Sequence, residues 1–250
     1  MGYADLHIHS VHSHDGTSSV SAILKYVADY TNLDVIAITD HDKVTGLREA
    51  VALGPKYGIE VIPGCEISTG QGHLLALFIT QPVPAGLSFV ETIKIVGQMG
   101  GLCAVPHPEA QGIGGVHAAV IRAALAVPAA ADVLVGIETF NGGLFFSHTN
   151  AVAAELGRVL KLACLGCSDS HILPTIGQGF TEFEGRTAAD LRAALEQHAT
   201  IAHSFDVMRT PEVLRRWFTQ FSLRKMGWVA YNAEPHAPIE YVRMRQALGG

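Results

Sequence analysis

Short apolar runs alternate with longer amphipathic stretches along most of the chain. The runs occupy residues 3–9, 34–39 (DVIAIT), 59–63, 73–79 (HLLALFI), 101–105, 133–137 and 160–166. Apart from 3–9, where Asp5 and His7 alternate with Leu6 and Ile8, their interiors are apolar at successive positions, so the pattern predicts strands covered on both faces, as in a parallel sheet. The intervening stretches carry apolar residues at helical spacing. After Ser18 or Ser19, which can cap a helix, these are Ala22, Ile23, Tyr26, Val27 and Tyr30. Further helices are predicted over 44–57, stopped by Gly58, over 88–99, capped by Ser88, and over 116–127, 146–157 and 187–198. Strand and helix thus repeat about seven times. In a chain of 250 residues a closed α/β barrel suits that count better than an open sheet.

A second regularity is chemical. His7 and His9, Asp40 and His41, Glu66, His107, Glu138, and Asp169 with His171 all lie where an apolar run ends. In a barrel those ends share one rim, where active sites are built. His7 and His9 are two apart, so on a strand their side chains share a face and can meet one cation. Imidazole suits zinc, iron and similar metals.

Composition narrows the picture. With 48% hydrophobic and 16% charged residues the chain buries a large core. A net charge of −6 argues against a general nucleic-acid binder. No basic segment followed by an apolar stretch opens the sequence, and the most apolar long window, 118–137, is broken by Arg122, Pro128 and Asp132. A cytoplasmic protein without a membrane partner is expected. Four cysteines do not make a disulfide scaffold at this length. Cys164 and Cys167 have redox-motif spacing but fall within a predicted strand, so buried thiols are expected. The glycine-rich segment 112–115 is not a phosphate-binding P-loop, because no Gly-Lys-Ser/Thr follows. From residue 204 onward seven Lys/Arg stand against four Asp/Glu. Two units are therefore read, a barrel over 1–203 and a C-terminal extension over 204–250. In the extension Thr210-Pro211-Glu212 starts a helix with an apolar stripe of Leu214, Trp217, Phe218 and Phe221. That stripe is expected to pack on the barrel; a homo-oligomer interface and membrane-surface contact are the alternatives.

Taken together, Asp5-Leu6-His7-Ile8-His9, Asp15-Gly16, Thr39-Asp40-His41, Gly64-Cys65-Glu66, His73, Pro106-His107-Pro108 and Ser168-Asp169-Ser170-His171 resemble the PHP (polymerase and histidinol phosphatase) family in order and spacing. The resemblance implies a distorted (β/α)7 barrel, TIM-like, and three divalent metal ions, Zn, Mn or Fe. It implies that His7, His9, Glu66 and Asp169 hold one metal. Glu66, His73 and His107 hold a second, and Asp15, His41 and His171 a third. Asp15 stands where many members carry histidine, and His14 adjoins it. Bridging carboxylates reduce repulsion between cations, while neutral imidazoles ligate without adding charge. His12, His14 and His117 are candidate phosphate contacts, Asn141 a candidate support or substrate contact, and Asp40 or His171 candidates to protonate a leaving oxygen. The activity implied is hydrolysis of a phosphate ester by a metal-activated hydroxide, with a small phosphorylated substrate. An exonuclease acting on short RNA or DNA uses the same chemistry, but would need a basic, aromatic-lined channel, and the barrel is acidic. A non-catalytic metal-binding PHP domain is the rival from another class. An amidohydrolase-type barrel also begins with His-x-His, but its fourth strand usually carries a lysine, which HLLALFI lacks.

Overall fold

The structure, a computed structural model, describes residues 1–143, 149–205 and 210–249, apart from the Thr210 side chain. The repeat is β1 (Gly2–Ile8), α1 (Val20–Tyr30), β2 (Val35–Ile38), α2 (Leu47–Leu53), β3 (Glu60–Thr69), β4 (Gly72–Leu77), α3 (Phe89–Gln98), β5 (Leu102–Val105), α4 (Ala118–Leu125) and α5 (Pro128–Ala131). It continues with β6 (Leu134–Asn141), α6 (Asn150–Leu160), β7 (Ala163–Cys167), β8 (Gly179–Phe183), α7 (Ala188–Glu196) and β9 (Ile201–Ser204). The start expected for α6, residues 146–148, lies outside the described residues. Ser19 caps α1 by accepting from the Ala22 amide, and Ser88 and Thr187 form capping boxes with Glu91 and Asp190.

The nine strands form one sheet in the order β7-β6-β5-β4-β3-β2-β1-β8-β9. It curls into a nearly closed barrel. Beyond β7, Ser170 bridges back to β1, where the His9 amide donates to its carbonyl at 2.9 Å. β8 and β9 lie over β7 at close quarters. A Cβ on Gly166 would sit 2.4 Å from the Phe180 carbonyl and 2.7 Å from that of His203, so only glycine lets these backbones meet. Leu6, Ala37, Ile62, Leu75, Ala104 and Leu165 fill the interior together with Phe183 of β8. The alternating residues of the same strands, such as Ile67, Leu74, Cys103 and Ile137, face the helices.

The fold is the expected distorted barrel, with one correction to strand direction. The sheet is mixed, because β4 runs antiparallel to both β3 and β5. Only Gly70 and Gln71 separate β3 from β4, and a parallel connection needs a crossover of a dozen or more residues. β3 also extends past the expected end at residue 63, so Glu66 lies within the hairpin, paired with Leu75. β8 and β9, both antiparallel to their neighbours, were not foreseen.

The C-terminal part forms α8 (Thr210–Lys225), an antiparallel hairpin of β10 (Trp228–Tyr231) and β11 (Glu240–Arg243), and α9 (Met244–Ala247). Val229, Val242 and Ala247 pack on Val11, and Ala230 accepts from the Ser19 amide at 2.8 Å. The extension thus docks beside the loop that follows β1. Among the described residues no helix is long and apolar enough to cross a membrane.

Candidate metal centre

The site begins at the end of β1, where pairing with β2 slips between Asp5 and Ile8. Such an irregularity re-aims side chains. Asp5 fixes this point by accepting from the amides of Ser168 (3.0 Å) and Gly177 (2.9 Å). Burial pushes its carboxyl up to about 6, against those hydrogen bonds.

His7 is fully buried and donates through Nδ1 to Glu138 Oε1 at 2.8 Å. That bond fixes the ring orientation and turns Nε2 inward. Nε2 then lies 3.1 Å from His9 Nε2, 3.1 Å from Glu66 Oε2 and 3.4 Å from Asp169 Oδ1. Glu138 supports two further residues. Its Oε2 accepts from the His107 amide and from Asn141 Nδ2, each at 2.8 Å. Asn141 also reaches Asp169 Oδ2 at 3.3 Å, so it stands behind the cluster.

Glu66 is the hub. Its Oε1 lies 2.8 Å from His73 Nδ1 and 3.1 Å from His107 Nε2, while Oε2 faces His7, His9 and His41. The glycine-rich segment 112–115 positions His73. Gly114 accepts from the His73 amide at 2.7 Å, has φ +87°, and leaves room for the imidazole where a Cβ would lie 2.4 Å away. His107 (φ +29°) and Asp169 (φ +50°) hold left-handed backbone, an uncommon state for residues bearing a Cβ.

A second group lies further out. Asp15 Oδ2 is 3.0 Å from His171 Nε2 and 3.5 Å from His41 Nε2, and its Oδ1 accepts from Ser13 Oγ at 2.6 Å. The rings of His41 and His171 stack on His9 at 4.7 and 4.2 Å. Asp40 does not face this group. Its carboxylate accepts from the Ser10 amide and hydroxyl, both at 2.7 Å, and from the Ser13 amide at 3.1 Å, fixing the loop that carries Asp15. Arg224 of α8 grips the same loop, donating to the carbonyls of Val11, Ser13, His14 and Gly16. His14 is 73% exposed, with Nε2 3.6 Å from Asp15 Oδ2. His117 is exposed and donates to Glu109 at 2.9 Å, away from the cluster. His12 bonds Thr45 at 3.1 Å.

Electrostatics tie the cluster together. Burial opposes a charge on His7, but Asp169, Glu66 and Glu138 outweigh it and raise its pKa. Burial and neighbouring His171 drive His9 down to about 4. Glu66 and Asp169 are held well below the ordinary carboxylate range, because surrounding imidazoles outweigh their burial. Among the described residues no Lys or Arg side chain pairs with Glu66, Asp169 or Asp15. Facing ring nitrogens and unneutralised buried carboxylates are a donor set suited to divalent cations. Four overlapping groups bring ligand atoms within 4.8 Å of one another: His9, Asp15, His41 and His171; His7, His9 and Glu66; His7, His107 and Asp169; His41, Glu66 and His73.

The cluster opens into a cavity of about 810 Å³. Its far wall comes from α8, through Val213, Leu214, Trp217, Phe218 and Phe221, and Lys43 and Ser68 also reach it. The apolar stripe was legible in the sequence; that it faces the site was not. All four cysteines are free thiols, three buried and Cys164 half-buried. Burial pushes the Cys65 thiol up to about 12.

Comparison with known proteins gives matches in both sequence and fold. The PHP domain family matches residues 5–100 and the PHP-associated family matches residues 147–200. A protein of Methanocaldococcus jannaschii whose own function is uncharacterized is 39% identical over 115 residues, 42% of this chain and 67% of that protein. The 3',5'-nucleoside bisphosphate phosphatase of Chromobacterium violaceum is 33% identical over 98 residues, 38% of this chain and 34% of that enzyme. Among solved structures, a two-domain protein of Bacteroides vulgatus containing a predicted PHP-like metal-dependent phosphoesterase superposes with a TM-score of 0.66 at 20% identity. The match covers 93% of this chain and 71% of that one.

Proposed function

The chain belongs to the PHP family of metal-dependent phosphoesterases, hydrolases of phosphoester bonds, and from that premise we propose that it hydrolyses a small phosphomonoester at a trinuclear centre. The observation that carries this reading is that His7 Nε2 and His9 Nε2 each lie within 3.4 Å of both Glu66 Oε2 and Asp169 Oδ1, with a second carboxylate–imidazole group at Asp15, His41 and His171 beside them. On this reading His7, His9, Glu66 and Asp169 would hold a first cation, Glu66, His73 and His107 a second, and Asp15, His41 and His171 a third. Zn, Mn and Fe all suit these donors. Bound cations supply Lewis acidity to the phosphoryl oxygens and a nucleophile at neutral pH.

The protein's own part is to orient and enclose. Glu138 accepts from His7 Nδ1 and so aims Nε2 at the cluster, where that nitrogen would ligate once a cation replaces its proton. Asp40 and Arg224 hold the Asp15 loop in place. The cavity is large enough for one small ester, and α8 gives its lining an apolar part. In the net reaction water oxygen bonds to phosphorus, the phosphorus–oxygen bond to the alcohol breaks, and the alcohol leaves with a proton.

An acidic barrel disfavours a long polyanion away from the cations. The full chain, loaded with Mn²⁺ or Zn²⁺, is therefore expected to show higher kcat/KM on small monoesters than on oligonucleotides, together with about three equivalents of bound metal by elemental analysis. Faster cleavage of oligonucleotides would replace the small-substrate reading with an exonuclease. Metal binding without turnover of either substrate type would leave a binding domain.

A further inference from the structure

We propose that α8 forms a stacking subsite that selects phosphate esters whose alcohol presents a flat apolar face. This deepens the phosphomonoesterase reading and rests on it. The cavity lining is of two chemical kinds. One part carries Glu66, Asp169, His73 and His171, where a phosphate belongs. The other carries Trp217 and Phe221, one helical turn apart on the same face of α8. Their rings lie nearly parallel, 9° apart, with centroids 4.7 Å from each other. Phe218 meets Trp217 edge-on at 5.4 Å and is 61% exposed.

This aromatic face is not spent on the core. Val213 is the buried anchor of α8, whereas Trp217 and Phe221 remain half-buried and front the cavity. The helix is held in that orientation by polar contacts at its other end. Thr17 donates to Gln220 at 3.1 Å, and Arg224 grips the β1–α1 loop. The same loop carries Asp15, so the aromatic wall and the outer ligand group are fixed relative to each other. A phosphate seated on the cluster leaves its alcohol in the same cavity that the α8 aromatics line. A strongly hydrated alcohol there loses water without gaining partners, while a planar one stacks.

Stacking of one ring on an aromatic side chain changes affinity by about 10-fold or more. Phenyl phosphate is therefore expected to exceed glycerol 3-phosphate about 10-fold in kcat/KM, mainly through KM. Adenosine 5'-monophosphate, run beside them, distinguishes a nucleobase from a plain aryl group as the stacked face. Trp217→Leu keeps apolar bulk and removes the ring, and should collapse the ratio of either aromatic ester to glycerol 3-phosphate. Calorimetry with phenylphosphonate and methylphosphonate, which are not hydrolysed, gives the same comparison without turnover. Tighter binding of phenylphosphonate, lost in Trp217→Leu, supports the subsite. Equal treatment of aromatic and glycerol esters, or a preference that survives Trp217→Leu and Phe221→Ala alike, overturns it. If none of the esters is hydrolysed yet phenylphosphonate binds in a Trp217-dependent way, the phosphomonoesterase reading fails and the subsite stands.

Discussion

The inner and outer halves of the metal centre are built by different means. The inner half is His7, His9, Glu66, His107 and Asp169, all buried, with His7 near the end of β1, Glu66 within the β3–β4 hairpin, and His9, His107 and Asp169 just past strand ends. Behind it stand Asp5, Glu138 and Asn141, themselves buried, each bonding backbone or a ligand. The outer half is Asp15, His41 and His171, half-buried, with Asp15 on a loop that depends on Ser10, Ser13, Asp40 and a guanidinium from residue 224. The barrel preorganises the first set at no further entropic cost once it folds. The second set needs a loop held from outside the barrel, so its geometry can be loosened without unfolding the protein.

The strongest way to break this contrast is to strike the residue that serves both halves. Glu66→Gln replaces the carboxylate proposed to bridge two cations, which contacts His7, His41, His73 and His107. An amide bridges cations poorly, so activity should fall by more than the ~10–100-fold typical of a lost supporting contact. Metal stoichiometry should fall with it while the far-UV spectrum is kept. Normal metal content in this variant would remove Glu66 from the bridge.

The next effect belongs to the inner half alone. Asp5 titrates at about 6 in the fold against 3.8 when unfolded. The folded state therefore binds the extra proton between those values, and stability falls as pH rises from about 4 to about 6. The linked free energy is up to about 3 kcal/mol. Urea titrations of metal-free protein should show wild type losing stability relative to Asp5→Asn over that window. Parallel pH profiles for the two proteins would refute the burial argument.

What the sequence exposed and what it concealed follow the same division. The inner candidates were legible because they fall at or just past the ends of apolar runs in the sequence, and a run's end is visible in one dimension. Strand direction was not: HLLALFI reads alike in either direction, and the decisive feature was the two-residue connection after Thr69. β9 escaped because it is short and its Ile201 is exposed, so no apolar run marks it. Asp40 adjoins His41 and carries the same chemistry, yet points to Ser10 and Ser13. Arg224 binds only carbonyls, which no side-chain pattern announces. The stripe Leu214–Trp217–Phe221 was visible as amphipathic, but its facing surface is set by tertiary docking.

Two variants sharpen the contrast by weakening one half each. Glu138→Gln leaves the inner ligands in place but puts an amide where His7 Nδ1, the His107 amide and Asn141 all donate. Loss of ~10–100-fold in metal affinity is expected, confined to the tightest-bound ions. Arg224→Ala removes the grip on the Asp15 loop. It should cost about 2 kcal/mol of stability in thermal or urea unfolding. It should also weaken the last metal equivalent while the first remain. If Arg224→Ala released the tightest metal, or Glu138→Gln the weakest, the division would be wrong.

The smallest effect decides which neighbour carries the outer half. His14 and Asp15 are adjacent in sequence, and either residue type can ligate. Geometry separates them: Asp15 reaches both His41 and His171, whereas His14 is largely solvated and stands 3.6 Å from Asp15. An exposed side chain without a buried partner contributes within about 0.5 kcal/mol. His14→Ala should therefore leave kcat/KM within about threefold of wild type and metal content unchanged. Asp15→Asn should lose the outer equivalent, because it removes the only carboxylate facing both imidazoles of that group among the described residues. A larger loss in His14→Ala than in Asp15→Asn, measured side by side with metal analysis, would move the outer ligand to residue 14.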